Sequence, residues 1–151
     1  MSLKSKVMTS LKEAMKAKDK VALETLRAVK SEIMKMETAS NAVTEISKSD
    51  EIKLLQKMQK QRKDAATIYK SQGRDDLESH ELDQCKVLNQ FLPQQMSQEE
   101  LSSSVLKIIK KIGATSSSDM GKVMGVCSKE LAGKAEGRLI ADIVKSLLNS
   151  L

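Results

Sequence analysis

The chain has 151 residues, 40% of them apolar, yet it holds one Tyr, one Phe and no Trp, with six Gly and one Pro. A core must come from Leu, Ile, Val, Met and Ala, mostly helix formers, and so few Gly and Pro cannot punctuate an all-β fold. That class is excluded, as is an RNA reader that stacks bases on rows of rings. The 26 Lys and Arg against 20 Asp and Glu, a net +6, suit a polyanionic partner and equally suit plain solubility.

Apolar spacing predicts an all-α fold. Leu3, Val7, Leu11 and Ala14/Met15 make a first helix of about residues 3–18 behind a Ser2 cap. Its Lys4, Lys6, Lys12, Lys16, Lys18 and Lys20 loosely resemble a transit peptide, but Glu13, Asp19 and the direct continuation into helical pattern mark it as structural. Asp19 caps a second helix with Ala22, Leu26, Val29, Ile33 and Met36 along one face. Thr38–Ser49 loses periodicity and reads as a mobile loop. A third helix over about 50–72 presents Leu54, Met58, Ala65 and Ile68 and stops at Gly73; a fourth over about 75–90 carries Leu82, Cys85, Leu88 and Leu92 along or just beyond one face.

Pro93, the one proline, marks the boundary between an N-terminal helical domain of about four helices, 1–92, and a small C-terminal three-helix bundle, 97–151, with 93–96 as linker. Ser97 and Glu100 have capping-box spacing ahead of a fifth helix bearing Leu101, Val105, Ile108 and Ile112. Ser117 or Ser118 is the expected cap of a sixth, with Met120, Val123, Cys127 and Leu131, ended by Gly133. A seventh follows Gly137. Cys85 and Cys127, without a C-x-x-C, predict two buried thiols in a reducing cytosol. No apolar run approaches the 18 residues of a membrane span.

Chemistry is sparse. His80 and Cys85 sit about 140° apart on one predicted helix and cannot meet there, whereas His80 with Cys127 across the domains stays open. One His and two distant Cys make no zinc set, and Asp75-Asp76 read as the acidic first turn of a helix. Gly121-Lys122 lacks the remainder of a phosphate loop, with Ser116 and Val123 at its other positions. Gly121 and Gly125 leave a smooth strip on the sixth helix, which serves tight packing or an RNA backbone held by Lys122 and the N–H groups near Ser116, Ser117 and Ser118. Lys134 and Arg138 flank the turn from Gly133 to Gly137. Lys53, Lys57, Lys60, Arg62 and Lys63 form an acid-free stretch of the third helix, either a solvated face or a surface for structured RNA.

The runs QRKDAATIYKSQGRDDL (Gln61–Leu77), FLPQQMS (Phe91–Ser97) and DMGKVMG…LAGKAEG…IVKSLL (Asp119–Leu148) together resemble the YqeY family. The same region is similar to the C-terminal helical and tail part of the B subunit of the amidotransferase that converts misacylated Glu-tRNA or Asp-tRNA. The resemblance implies two helical domains and a last third like the tail that holds the tRNA body, a role that Gly121, Lys122, Gly125, Lys134 and Arg138 would inherit. Lys134 stands where the family usually has Arg, which keeps the charge and loses the bidentate fork. The portion of that subunit that activates a carboxylate and transfers the amide has no counterpart here. The expectation is therefore a non-catalytic tRNA-binding or tRNA-related accessory module without cofactor, metal or membrane. The alternatives are a component of glutamine-dependent tRNA amidation, a carbon–nitrogen ligase activity, and a protein-interaction module with a Met-containing groove between the domains.

Overall fold

Small polar side chains set most of the helix starts in the computed structural model, which describes residues 1–39 and 45–151. The Ser5 N–H donates to Ser2 Oγ (3.2 Å) at the head of α1 (Leu3–Ala17), and the Ala22 N–H donates to Asp19 Oδ1 (3.1 Å) at the head of α2 (Lys20–Thr38). The Asp50 N–H donates to Ser47 Oγ (3.1 Å) and opens α3 (Lys48–Ser71). Each bond satisfies a donor that the helix itself leaves unpaired. Of the loop expected over Thr38–Ser49, residues 40–44 lie outside the described residues; Thr38 still belongs to α2, and Lys48 and Ser49 to α3.

Gly73 takes the left-handed conformation (φ 70°) that ends α3, after which α4 (Asp75–Asn89) begins with Asp75, Asp76 and Glu78 in its first turn. Ser97 and Glu100 close both arms of a capping box on α5 (Gln98–Ile112), at 3.1 and 3.3 Å, and Gly113 ends it at φ 76°. Neither Ser117 nor Ser118 caps the sixth helix. A 3₁₀ turn, Ser117–Asp119, leads into α6 (Met120–Glu130) with no side-chain cap, and that helix stops before Gly133. Gly137 is the first residue of α7 (Gly137–Asn149). No strand occurs among the described residues.

The chain divides into two compact units, Met1–Leu92 and Pro93–Leu151, each with its own core. Leu3, Val7, Leu11 and Ala14 bury α1 in the first core while its lysines face outward, so this helix is a structural part of the unit. The buried face of α3 is rotated from the expected stripe. Leu54, Leu55, Met58, Gln59 and Ala66 are buried, Ala65 is half-buried, and Ile68 is 56% exposed; on α4 Leu82 is likewise exposed. The cause is a polar clasp: Gln59 Nε2 donates to the Cys85 carbonyl (3.2 Å), and the Cys85 thiol donates to the Gln59 carbonyl (3.7 Å). A glutamine on the inner face is invisible to a rule that looks for apolar residues.

In the second unit Leu101, Val105, Ile108 and Ile109 of α5 pack with Val123 and Cys127 of α6 and Ile140, Ile143, Val144 and Leu148 of α7. Residues 93–96, read as a connector, are bonded to this unit: Gln95 Nε2 donates to the Gly133 carbonyl (2.7 Å) and the Met96 N–H to the Lys134 carbonyl (2.9 Å). Met36 and Met58 serve the first core and Met96, Met120 and Met124 the second, so five of the nine methionines are core material.

Candidate nucleic-acid interface

The basic stretch of α3 does not form one face. With about 100° per residue, Lys53, Lys57 and Lys60 fall within an arc of about 60°, and Lys63 lies to one side. All four are exposed. Arg62 lies on the opposite side, among Leu55, Met58 and Ala66. Its Nε donates to Gln84 Oε1 (2.9 Å) and a terminal nitrogen to the Met58 carbonyl (3.2 Å). Asp50 and Asp64, three residues before Lys53 and four after Lys60, place a carboxylate at each end of the lysine stripe.

On α6 the inner arc holds Val123 and Cys127, leaving Gly121, Lys122, Gly125, Ser128 and Lys129 exposed on the outer one. A Cβ built on Gly121 or Gly125 meets nothing within 4 Å, so tight packing does not explain these glycines. The outer arc carries no acid. Lys129, seven residues from Lys122 and hence on the same side, carries no signal of its own in the sequence; only the helix angle reveals it.

The amides before α6 are less available than the sequence suggests. Asp119 Oδ2 accepts the Thr115 N–H at 2.9 Å, and the Ser116 N–H adds to it. These bonds, led by Thr115 and opposed by desolvation, hold the Asp119 carboxyl below its usual range, with Lys122 contributing from nearby. Of the amides near Ser116, Ser117 and Ser118, the carboxylate thus engages that of Ser116, along with that of Thr115. Lys134 and Arg138 are both exposed. Lys134 lines a groove of about 290 Å³ together with Lys107 and Lys111 of α5, over Ile108 and Leu131; Glu130 pairs with Lys111 at 3.7 Å. Lys107 and Lys111 carried only an i, i+4 spacing as a signal, which many solvated helices share.

His80 and Cys85 point to different partners. His80 Nε2 lies 3.2 Å from Glu24 Oε2 and 3.4 Å from Gln84 Nε2, whereas the Cys85 thiol is buried against Gln59. Cys127 is buried, and burial followed by the charge of Glu130 pushes its thiol up, away from the reactive thiolate. Asp76 is paired with Arg74 through two contacts of 3.3 Å, and this bond holds its carboxyl below the usual range. No group of three His, Cys, Asp or Glu among the described residues could hold a metal, and no described helix is long and apolar enough to cross a membrane.

Fold and surface together define a small all-helical protein whose distinctive features are a glycine-and-lysine helix face and a lysine-lined groove. The chain belongs to the YqeY family: the profile described as Yqey-like protein matches residues 4–148. It is also similar to a protein of Clavispora lusitaniae (strain ATCC 42720), "Altered inheritance of mitochondria protein 41, mitochondrial", at 29% identity over 153 residues, covering 99% of this chain and 87% of that protein.

Proposed function

We propose that this chain is a non-catalytic module that holds structured RNA, of the tRNA kind, through phosphate contacts made by its second unit, with the two units acting as separate domains. The observation that supports this most is the outer arc of α6. Gly125 lies in the interior of α6, where glycine costs about 1 kcal/mol relative to Ala, Gly121 lies in its first turn, and no packing in the unit accounts for either. A ligand backbone that approaches the helix closely, flanked by Lys122 and Lys129, does account for them. With two aromatic residues in the whole chain, recognition rests on shape and charge. Lys134 and Arg138, with Lys107 and Lys111, extend the positive surface along the unit, and the exposed lysines of α3 offer a second contact.

Filter binding of bulk tRNA at low salt tests this reading. Retention should fall steeply with salt, and Lys122→Glu with Lys129→Glu should weaken it about tenfold or more. The pair Gly121→Ala and Gly125→Ala should raise stability, because the added methyls meet open space and alanine favours the helix, while lowering retention. Absent retention, or retention untouched by all four substitutions, overturns the proposal. The proposed placement is cytosolic, and the two buried thiols, neither in a disulfide, suit a reducing compartment; recovery in the mitochondrial fraction, where the relative's name places that protein, would overturn it.

A further inference from the structure

Arg62 is an anomaly on its helix. It occupies the inner arc of α3, is half-buried, and has no carboxylate within ion-pair reach among the described residues. Its hydrogen-bond partners are dipoles, the Gln84 side-chain oxygen and the Met58 carbonyl. Taking a cation even partly out of water is costly unless an opposite charge answers it.

The space beside it is a cleft of about 320 Å³ between α2 and α3, at the small end of ligand pockets. Lys57, Gln61 and Arg62 line it from α3, and Ser31 and Glu32 from α2. Along α3, Lys57, Gln61, Leu54, Met58 and Arg62 follow one another round an arc of about 140°, so one face supplies an ammonium at one rim, a guanidinium at the other, and an amide between them. The floor is closed, since Leu54 and Met58 are nearly fully buried, and little apolar surface remains to attract a hydrophobic partner. Glu32, the one acid in the lining, is bonded to Lys35 at 3.2 Å. An adjoining hollow shares Ser31 and adds Arg27, Lys30 and Lys35, so five basic residues surround the pair of hollows against one acid.

We propose that the α2–α3 cleft binds a phosphoryl group, with Arg62 and Lys57 as charged donors and Ser31 and Gln61 as neutral ones. Several donors of mixed type, converging from two helices, match the three acceptor oxygens of a phosphoryl group better than the two of a carboxylate, and the guanidinium fork suits two of them. The site is independent of the RNA surface proposed for the second unit. The group comes either from a small phosphate ester or from a nucleic-acid backbone.

The test uses the full chain and follows the Arg62 Nε–H signal by NMR during titration with inorganic phosphate, with chloride at equal ionic strength as control. Saturable shifts with phosphate alone are expected, and Lys57→Gln should weaken binding about tenfold, as loss of one charge-assisted bond requires. Lys57 is exposed, so this variant keeps the fold, whereas Arg62→Lys retains the charge, loses the fork and should bind more weakly than wild type. Lys122→Glu, on the second unit, should leave phosphate binding unchanged even where it abolishes tRNA retention. Adenosine monophosphate competing with phosphate identifies a small ester as the source; competition by a short RNA duplex alone identifies a backbone. Equal shifts with chloride, or Lys57→Gln binding as wild type does, overturn the proposal.

Discussion

Asp119 closes the turn before α6 and also answers the charge of Lys122, which makes it a pH-dependent clasp. Its folded pKa lies below the unfolded value. The clasp therefore contributes fully above the unfolded pKa, near 4, and is lost as pH falls through the lower folded one. Acid titration followed by hydrogen exchange in α6 should show protection falling below about pH 4 in the wild type. Asp119→Asn should lower protection at neutral pH and flatten that acid slope. Equal slopes in the two proteins would exclude Asp119 as the source. Asp76 has the same sign through Arg74, but it belongs to the first unit, so exchange resolved by helix separates the two.

Helices show how far sequence reasoning reaches. Caps are local, and Ser2, Asp19, Ser97 and Glu100 act as their spacing foretells because the bonds they make span only three residues. Ser97→Ala should therefore cost the second unit about 1 kcal/mol, read as a lower midpoint in urea for the spectroscopic signals of that unit; an unchanged midpoint would mean that the box contributes nothing beyond what water supplies. Faces are decided by partners distant in sequence. The apolar spacing puts Ile68 inside, yet it is exposed, and Arg62 shares a basic stretch with the surface lysines yet turns toward α4, because Gln59, Cys85 and Gln84 make their bonds between α3 and α4. Lys129 was hidden for another reason. A lone lysine carries no signal until the helix angle sets it beside Lys122 and the open glycines. The caps at Ser2, Asp19 and Ser97 and most of the core are legible, the Ser47 cap and the uncapped start of α6 are not, and the two candidate surfaces are legible only as charge.

For the whole molecule, the two hydrophobic cores share no residue. Leu88 is fully buried in the first and Val144 in the second. Cooperative unfolding spreads through shared buried contacts, so the chain should melt in two transitions. Leu88→Ala should lower one of them, by about 2–5 kcal/mol of its stability, and leave the other in place; Val144→Ala should do the reverse, by a smaller amount because fewer buried atoms are removed. Ligands then report where they bind. A species that binds only the folded form of one unit raises that unit's transition by an amount set by its concentration relative to Kd. Bulk tRNA should lift the transition sensitive to Val144→Ala, and inorganic phosphate the one sensitive to Leu88→Ala. A single transition moved equally by both substitutions would show that the units fold as one, and tRNA lifting only the Leu88-sensitive transition would move the RNA surface from α6 to α3.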